Sequence, residues 1–164
     1  MKTLSTYLIE AIKRSSTTLT NVVKDEWSDK IFTIIKPGFL NYEQDIITMF
    51  ERAGWKLDRT TIKTLTRDEA KELYKVHKDK DFYNDLCDYM SSGPSRAIIY
   101  KRYGNTNSDT FKDVAVLKDA IRDSWGIDDC KNVMHSSDSL SAMEHESGIY
   151  FWAKQSVPSE HIYT

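Results

Sequence analysis

Apolar positions from residue 29 onward follow two periodicities along the chain. Short β-branched or alternating runs indicate strands, whereas apolar spacings of three and four residues indicate amphipathic helices. The predicted strands are Ile31–Ile35, Trp55–Leu65, Arg96–Tyr100 and Val133–Met134. The predicted helices are Tyr42–Ala53, Thr66–His77, Phe82–Tyr89, Phe111–Ile121 and Ser139–Trp152.

Turn and capping residues separate these elements. Gly54 is a helix stop signal, and Thr66 with Glu69 forms a capping box. Residues 92–94 (Ser-Gly-Pro) end the third predicted helix before the third strand begins. The resulting order is strand, helix, strand, two helices, strand, helix, strand, helix. This order predicts an α+β fold, a ferredoxin-like sandwich in which a four-stranded antiparallel sheet is covered by helices.

The first 28 residues differ from the rest of the chain. Leu4, Tyr7, Leu8, Ala11 and Ile12 form a helical stripe, and a polar, linker-like segment follows. We predict three parts: an amphipathic helix with a linker (residues 1–28), one domain (29–152) and a C-terminal tail (153–164). The first helix either docks on its own domain or a neighbouring subunit, or serves as a recruitment or assembly tag.

Composition narrows the class of protein. The chain has 164 residues, of which 40% are hydrophobic and 29% charged, as expected for one globular domain with a full core. Its net charge of -2 gives no reason to expect nucleic acid or an anionic membrane as partner. No apolar run is long enough for a membrane span, and no signal peptide is apparent. Cys87 and Cys130 are interpreted as free thiols, which favours a cytoplasmic location.

The stretch from Asn132 to Ser139 carries the clearest chemical signal. His135 lies where a short extended run meets a cluster of small hydroxyl and carboxylate residues of the kind that begins a helix. A histidine at such a corner is held rigidly, partly exposed and close to backbone N–H groups that favour anions. That environment suits an imidazole that carries a phosphoryl group, although a cap or packed surface residue fits the same isolated pattern.

Several short motifs, taken together and in order, resemble those of nucleoside diphosphate kinases. The similarity runs from about Asp29 to Trp152. Its parts are Ile34-Ile35-Lys36-Pro37, Tyr74 with His77, Asp79-Lys80-Asp81-Phe82-Tyr83, Ser92-Gly93-Pro94, Ile121-Arg122, Asn132, His135 to Ser139, and Glu146 before Tyr150-Phe151-Trp152. The resemblance implies an enzyme that moves the terminal phosphate of a nucleoside triphosphate onto a nucleoside diphosphate through a phosphohistidine.

The resemblance also assigns catalytic roles. It implies that His135 is the nucleophile, that Glu146 orients its imidazole, and that Ser137 lies beside both residues. Free imidazole is largely neutral near pH 7, so it needs no strong base to attack. A covalent intermediate divides the reaction into two similar half-reactions with ping-pong kinetics. Tyr74 is expected near the reacting phosphate.

Nucleotide binding is implied at further positions. Lys36 and Arg122 match phosphate-binding residues of the family, Asn132 matches an asparagine that contacts sugar and phosphate, and Phe82 and Leu86 match residues that flank the base. Mg²⁺ is expected to bind through the nucleotide phosphates, without a dedicated protein cage. Family members form hexamers or tetramers, so the resemblance implies a homo-oligomer.

Two departures from the family pattern change these expectations. Gly38 replaces an acidic residue after Lys-Pro, and the segment between Tyr100 and Arg122 lacks most of a long phosphate-site loop with its threonine. Lys112 is the nearest basic substitute for a phosphate-binding arginine, and Lys101 or Arg102 are further candidates. A lysine holds phosphate as a point charge and lacks the planar fork of arginine.

The shortened loop leaves two functions open. The first is an active nucleoside diphosphate kinase with a more open site. The alternative is a kinase-like domain that binds nucleotide or a partner protein with little or no turnover. The retained residues favour the enzyme, whereas the missing threonine and the altered arginine favour the alternative.

Overall fold

A four-stranded antiparallel sheet forms the centre of the protein. The computed structural model describes residues 30–102 and 109–152, so the predicted N-terminal helix and C-terminal tail lie outside the described residues. The strands are β1 (Lys30–Ile35), β2 (Trp55–Lys63), β3 (Ser95–Arg102) and β4 (Met134–Ser136). Their order in the sheet is β2-β3-β1-β4, and every neighbouring pair is antiparallel. The predicted ferredoxin-like α+β sandwich is therefore confirmed.

Five α-helices accompany the sheet in the described part of the chain. They are α1 (Glu43–Arg52), α2 (Arg67–Leu73), α3 (Tyr83–Met90), α4 (Thr110–Trp125) and α5 (Leu140–Phe151). Short 3₁₀ helices at Leu40–Tyr42 and Lys75–His77 precede α1 and follow α2. No helix among these described residues is long and apolar enough to cross a membrane.

Helices cover both faces of the sheet, which explains why β1 is buried almost throughout. Tyr100 of β3 stacks on Phe50 of α1, with ring centroids 4.2 Å apart. Phe32 pairs with Ile99, which precedes Tyr100 in β3, and therefore points to the opposite face. There its ring lies 5.9 Å from the Tyr150 ring of α5, centroid to centroid. All four aromatic side chains are buried, so their rings fill the core on each side of the central strands.

The helix boundaries follow local capping chemistry. Gly54, after α1, adopts a φ of +91°, a conformation that glycine reaches without steric cost. At the start of α2 the Thr66 hydroxyl accepts from the Glu69 N–H at 3.1 Å, and the Glu69 carboxylate accepts from the Thr66 N–H at 3.0 Å. The predicted capping box is therefore confirmed.

Among the differences from the predicted bounds, two bear on the site. The fourth strand begins at Met134 and includes His135, because Val133 adopts a φ of +77° that interrupts the extended backbone. The second helix stops at Leu73 instead of reaching His77, because Tyr74 has a φ of -107° and a ψ of 20°. Both differences place functional candidates at points where the backbone changes direction.

The capping box predicts a measurable contribution to stability. Thr66→Ala removes the side-chain acceptor of the Glu69 N–H, so we expect a loss of about 1 kcal/mol in the free energy of unfolding. Urea denaturation measures it. Thr64→Ala, at an exposed position two residues earlier, is the matched control. Equal stability of the two variants would contradict the structural role of the cap.

Candidate active site

Strand β4 presents His135 at the edge of the sheet. His135 pairs with Ile34 of β1. The pairing continues on both sides, since the Lys36 N–H donates to the Val133 carbonyl at 2.8 Å and the Ser137 N–H donates to the Phe32 carbonyl at 3.1 Å. The imidazole is thus attached to a rigid backbone, and its side chain retains 18% exposure to solvent.

His135, Glu146 and Ser137 form one hydrogen-bonded set. The His135 Nε2 atom lies 3.0 Å from the Glu146 Oε2 atom, and the Ser137 hydroxyl donates to the same oxygen. Burial acts to raise the pKa of Glu146, but the hydrogen bonds from His135 and Ser137 outweigh it and lower the pKa. An ionised carboxylate only accepts hydrogen bonds, so Nε2 donates in this contact, and in the neutral form of the ring Nδ1 keeps its lone pair.

A group of basic side chains lies on the β4 side of the site. Lys36 donates to the Asn132 side-chain oxygen at 2.7 Å and to the Cys130 carbonyl at 3.1 Å. Arg122 donates through Nε and one terminal nitrogen to the Met134 carbonyl, at 3.3 and 2.9 Å. Burial and the neighbouring Arg122 lower the pKa of Lys36 to about 7. Burial also lowers the pKa of Arg122.

Tyr74 closes one side of the site. Its ring meets the His135 ring edge-on, with centroids 5.7 Å apart, and the Lys36 Nζ atom lies 5.9 Å from the Tyr74 ring centroid. The Tyr74 hydroxyl is buried and has no hydrogen-bond partner among the described residues. A buried hydroxyl without a partner is energetically costly, so this position suits a ligand oxygen.

Phe82 and Leu86 occupy different environments. Phe82 is 41% exposed and lies 5.6 Å from His77, ring centroid to ring centroid. Leu86 is buried in the hydrophobic core. The exposed Phe82 ring therefore offers a flat apolar surface near the site. His77 lies between the Phe82 and Tyr74 rings.

A cavity of about 490 Å³ opens beside these residues. It lies between the end of α2 and the start of α5, and its lining includes Tyr74, His77, His135, Asp138 and Glu146. Its size falls within the usual range for small-molecule sites. Ser139 also lines the cavity and is the N-cap of α5, where its hydroxyl accepts from the Ala142 N–H at 3.1 Å.

None of the lysine and arginine residues predicted from the sequence lines this cavity, and three of them lie elsewhere in the fold. Lys112 is exposed in the first turn of α4. Lys101 and Arg102 bind carboxylates instead: the Lys101 Nζ atom lies 3.1 Å from Asp58, and Arg102 donates to Asp113 at 2.8 Å.

The structure places a different lysine near the group. Lys118 of α4 is half-buried and close enough to lower the pKa of Lys36. Lys118 is not among the residues predicted from the sequence, although its position four residues before Arg122 places both on one helix face.

Comparisons with known proteins identify the family to which this fold belongs. A family model for nucleoside diphosphate kinase matches residues 29–156. The chain is 36% identical over 134 residues to nucleoside diphosphate kinase 1 of Protochlamydia amoebophila, covering 76% of this chain and 93% of that protein. It is 33% identical over 132 residues to a nucleoside diphosphate kinase of Hyperthermus butylicus, covering 75% and 92%. The chain belongs to the nucleoside diphosphate kinase family.

Solved structures show the same architecture. A nucleoside diphosphate kinase family protein from Babesia bovis superposes with a TM-score of 0.64 at 26% identity, covering 77% of this chain and 90% of that chain. The nucleoside diphosphate kinase of Aquifex aeolicus superposes with a TM-score of 0.62 at 26% identity, covering 75% and 94%.

The buried Lys36 predicts a pH-dependent stability difference. An unfolded lysine keeps its proton up to about pH 10, whereas folded Lys36 releases it near a pKa of about 7. The unfolded state then holds more protons between these values, so this group makes the protein more stable as pH rises. Relative to Lys36→Met, the wild type should gain up to about 1.4 kcal/mol per pH unit above pH 7.

Denaturant unfolding at pH 7, 8 and 9 checks this expectation. Lys71→Met, at an exposed position of α2, controls for the loss of one lysine from the chain. Parallel pH profiles for the wild type and Lys36→Met would show that Lys36 has no lowered pKa.

Proposed function

We propose that this protein transfers the terminal phosphate of a nucleoside triphosphate to a nucleoside diphosphate, with His135 as the phosphate carrier. The observation that carries the proposal is the 3.0 Å contact between the His135 Nε2 atom and the Glu146 carboxylate, which leaves Nδ1 as the nitrogen with the lone pair in the neutral ring. The basic residues beside it form no ion pair with a carboxylate anywhere in residues 30–102 and 109–152. A nucleophile next to uncompensated cations suits phosphoryl transfer.

The chemistry balances within two half-reactions. The Nδ1 lone pair attacks the terminal phosphorus, the N–P bond forms, and the bond from that phosphorus to the bridging oxygen breaks. The nucleoside diphosphate leaves with the electron pair on its terminal oxygen. A terminal oxygen of a second nucleoside diphosphate then attacks the phosphohistidine, and Nδ1 recovers its lone pair.

Glu146 and Ser137 prepare the nucleophile. The Glu146 carboxylate keeps the proton on Nε2 and stabilises the positive charge that develops on the ring when Nδ1 attacks. Ser137 donates to the same carboxylate oxygen and so fixes its orientation. Because Glu146 is buried on α5, this geometry does not depend on a mobile surface side chain.

Lys36, Arg122 and Tyr74 are proposed to contact the phosphates. Lys36 is fixed by Asn132 and the Cys130 carbonyl. The negative charge of a bound phosphate would restore the proton that burial makes Lys36 release. Arg122 uses Nε and one terminal nitrogen on the Met134 carbonyl, which leaves donors for a phosphate oxygen. The Tyr74 hydroxyl gains a partner when a phosphate oxygen is present.

The nucleobase is proposed to bind by stacking on an apolar surface and not through a specific pattern of hydrogen bonds. The exposed Phe82 ring would stack on a purine or pyrimidine, and every base has a face that can stack. Leu86 would support this site from the core beneath. Asn132, which binds Lys36, is proposed to reach the sugar and phosphate of the nucleotide.

We infer that Mg²⁺ is bound through nucleotide phosphate oxygens. In the described ranges no three His, Cys, Asp or Glu side chains are grouped in a way that could hold a metal ion. The Glu146 carboxylate is engaged by His135 and Ser137. This arrangement is consistent with an ion that is held by the polyphosphate of the nucleotide and not by protein carboxylates. When bound, it neutralises part of the charge on the nucleotide.

A labelling experiment tests the phosphohistidine. Wild-type protein incubated with Mg²⁺ and γ-labelled ATP should take up label that is stable to base, labile to acid and transferred to added GDP. His135→Ala should take up none, because it lacks the accepting nitrogen. Glu146→Gln should label more slowly, because a neutral amide stabilises the developing ring charge less well than a carboxylate.

The outcome separates the two functional hypotheses. Absence of label on the wild type, together with ATP binding measured by calorimetry, would contradict the kinase. It would favour the alternative, a nucleotide-binding or partner-binding domain with little turnover. Label that persists in His135→Ala would move the carrier to another residue.

We also propose that the protein is a cytoplasmic homo-oligomer. The cytoplasmic location is supported by the free thiols of Cys87 and Cys130. Oligomerisation is supported by β2, an edge strand with exposed apolar side chains at Leu57 and Ile62. Edge strands present unpaired backbone groups that readily pair with another chain.

Light scattering of the full chain tests the oligomer. We expect a mass that is a multiple of the 19.0 kDa monomer. We also expect a smaller mass for Ile62→Lys, because a charge on the edge strand opposes pairing. A wild-type mass of one chain would contradict the proposal.

A further inference from the structure

Helix α4 carries a lysine on the face that packs inward. Val114 and Ile121 are fully buried on this helix. Lys118 lies four residues after Val114 and three before Ile121, so all three share one face. Lys118 is consequently half-buried, yet its ammonium forms no hydrogen bond or ion pair with any described residue.

Burial and the neighbouring charges both act on the Lys118 ammonium. Lys118 and Arg122 both act to lower the pKa of Lys36, and burial followed by Arg122 lowers the pKa of Lys118 itself. Asp119, Asp138 and Glu146 act on Lys118 in the opposite direction, but none of them pairs with it. Three cations therefore converge without a bound carboxylate.

We propose that Lys118 is the third phosphate-binding cation of the site, beside Lys36 and Arg122. This inference rests on the proposed function and specifies how its polyphosphate is held. The role was expected for Lys112 from the sequence. With a rise of about 1.5 Å per residue, Lys112 lies about 15 Å from Arg122 along the helix axis, whereas Lys118 lies about 6 Å away.

The placement of Lys118 has a chemical consequence. It shares the apolar face of α4 with Val114 and Ile121, which buries part of its stem, and its ammonium is close enough to Lys36 to lower the pKa of that residue. A point charge there attracts non-bridging phosphate oxygens without requiring the planar geometry of a guanidinium. The same charge can serve both half-reactions, because the phosphates of donor and acceptor nucleotides occupy one position in turn.

Kinetic analysis of charge variants tests this role. Lys118→Gln removes the charge, and Lys118→Arg keeps it. We expect kcat/KM for phosphohistidine formation from ATP to fall roughly tenfold or more in Lys118→Gln, from loss of a charge-assisted contact, and to recover largely in Lys118→Arg. Both variants are first checked for wild-type thermal unfolding.

Arg52→Ala provides a matched control for removal of one positive charge. Arg52 is exposed in the last turn of α1. It lies before β2, which starts opposite Arg102 at the other end of the sheet from Lys36. Wild-type rates in Lys118→Gln, or an equal loss in Lys118→Arg, would overturn the proposal. So would a loss of rate confined to Lys112→Gln.

Binding of inorganic tripolyphosphate separates this inference from the proposed function. Calorimetry should show roughly tenfold weaker binding to Lys118→Gln than to the wild type, with Arg52→Ala unchanged. This result supports Lys118 even if the wild type forms no phosphohistidine, in which case only the catalytic proposal fails. Equal affinity in the wild type and Lys118→Gln would overturn the role of Lys118.

Discussion

The hydrogen bonding between β4 and β1 is the constraint on which the site depends. It fixes His135 opposite Ile34, and its first bond ties the Val133 carbonyl to the backbone of Lys36. The Met134 carbonyl in the same strand accepts from Arg122 and so connects α4 to the sheet. A segment of three residues thereby sets the relative positions of the proposed nucleophile and two cations. The unusual φ of Val133, +77°, is part of this arrangement, since a β-branched residue adopts it only when the surrounding contacts require it.

Much of the fold could be predicted from the sequence because its signals are local. The buried strand β1, the Thr66 capping box and the Gly54 stop each depend on a few adjacent residues, and the structure confirms them. The start of β4 was predicted one residue too early, because propensity gives no warning that Val133 leaves the extended conformation. The predicted end of α2, at His77, is also wrong. The helix ends at Leu73 because Tyr74 leaves the helical conformation, and the Tyr74 ring contacts His135.

The sequence predicts those residues of the candidate site that belong to recognisable motifs, and it does not predict those that depend on three-dimensional position. His135, Glu146 and Ser137 were predicted together, and the structure brings them into one hydrogen-bonded set. Lys118 was missed because its significance comes from three-dimensional position: a lysine on an amphipathic helix usually extends into solvent. Lys112 appeared a better candidate by order along the chain, yet it is exposed in the first turn of α4. The proximity of Lys36, which directly follows β1, to the cations of α4 has no sequence signature of its own.

The unbroken helix from Thr110 to Trp125 has a consequence for the thermodynamics of ligand binding. When the residues that bind phosphate lie on a flexible loop, part of the interaction free energy is lost in ordering that loop around the nucleotide. Here Lys118 and Arg122 belong to a helix that is already ordered by its packing on the sheet. Nucleotide capture by these two residues should therefore carry a small conformational-entropy penalty. The opposing cost is a lower folding stability, because the folded protein must hold like charges close together before any nucleotide binds.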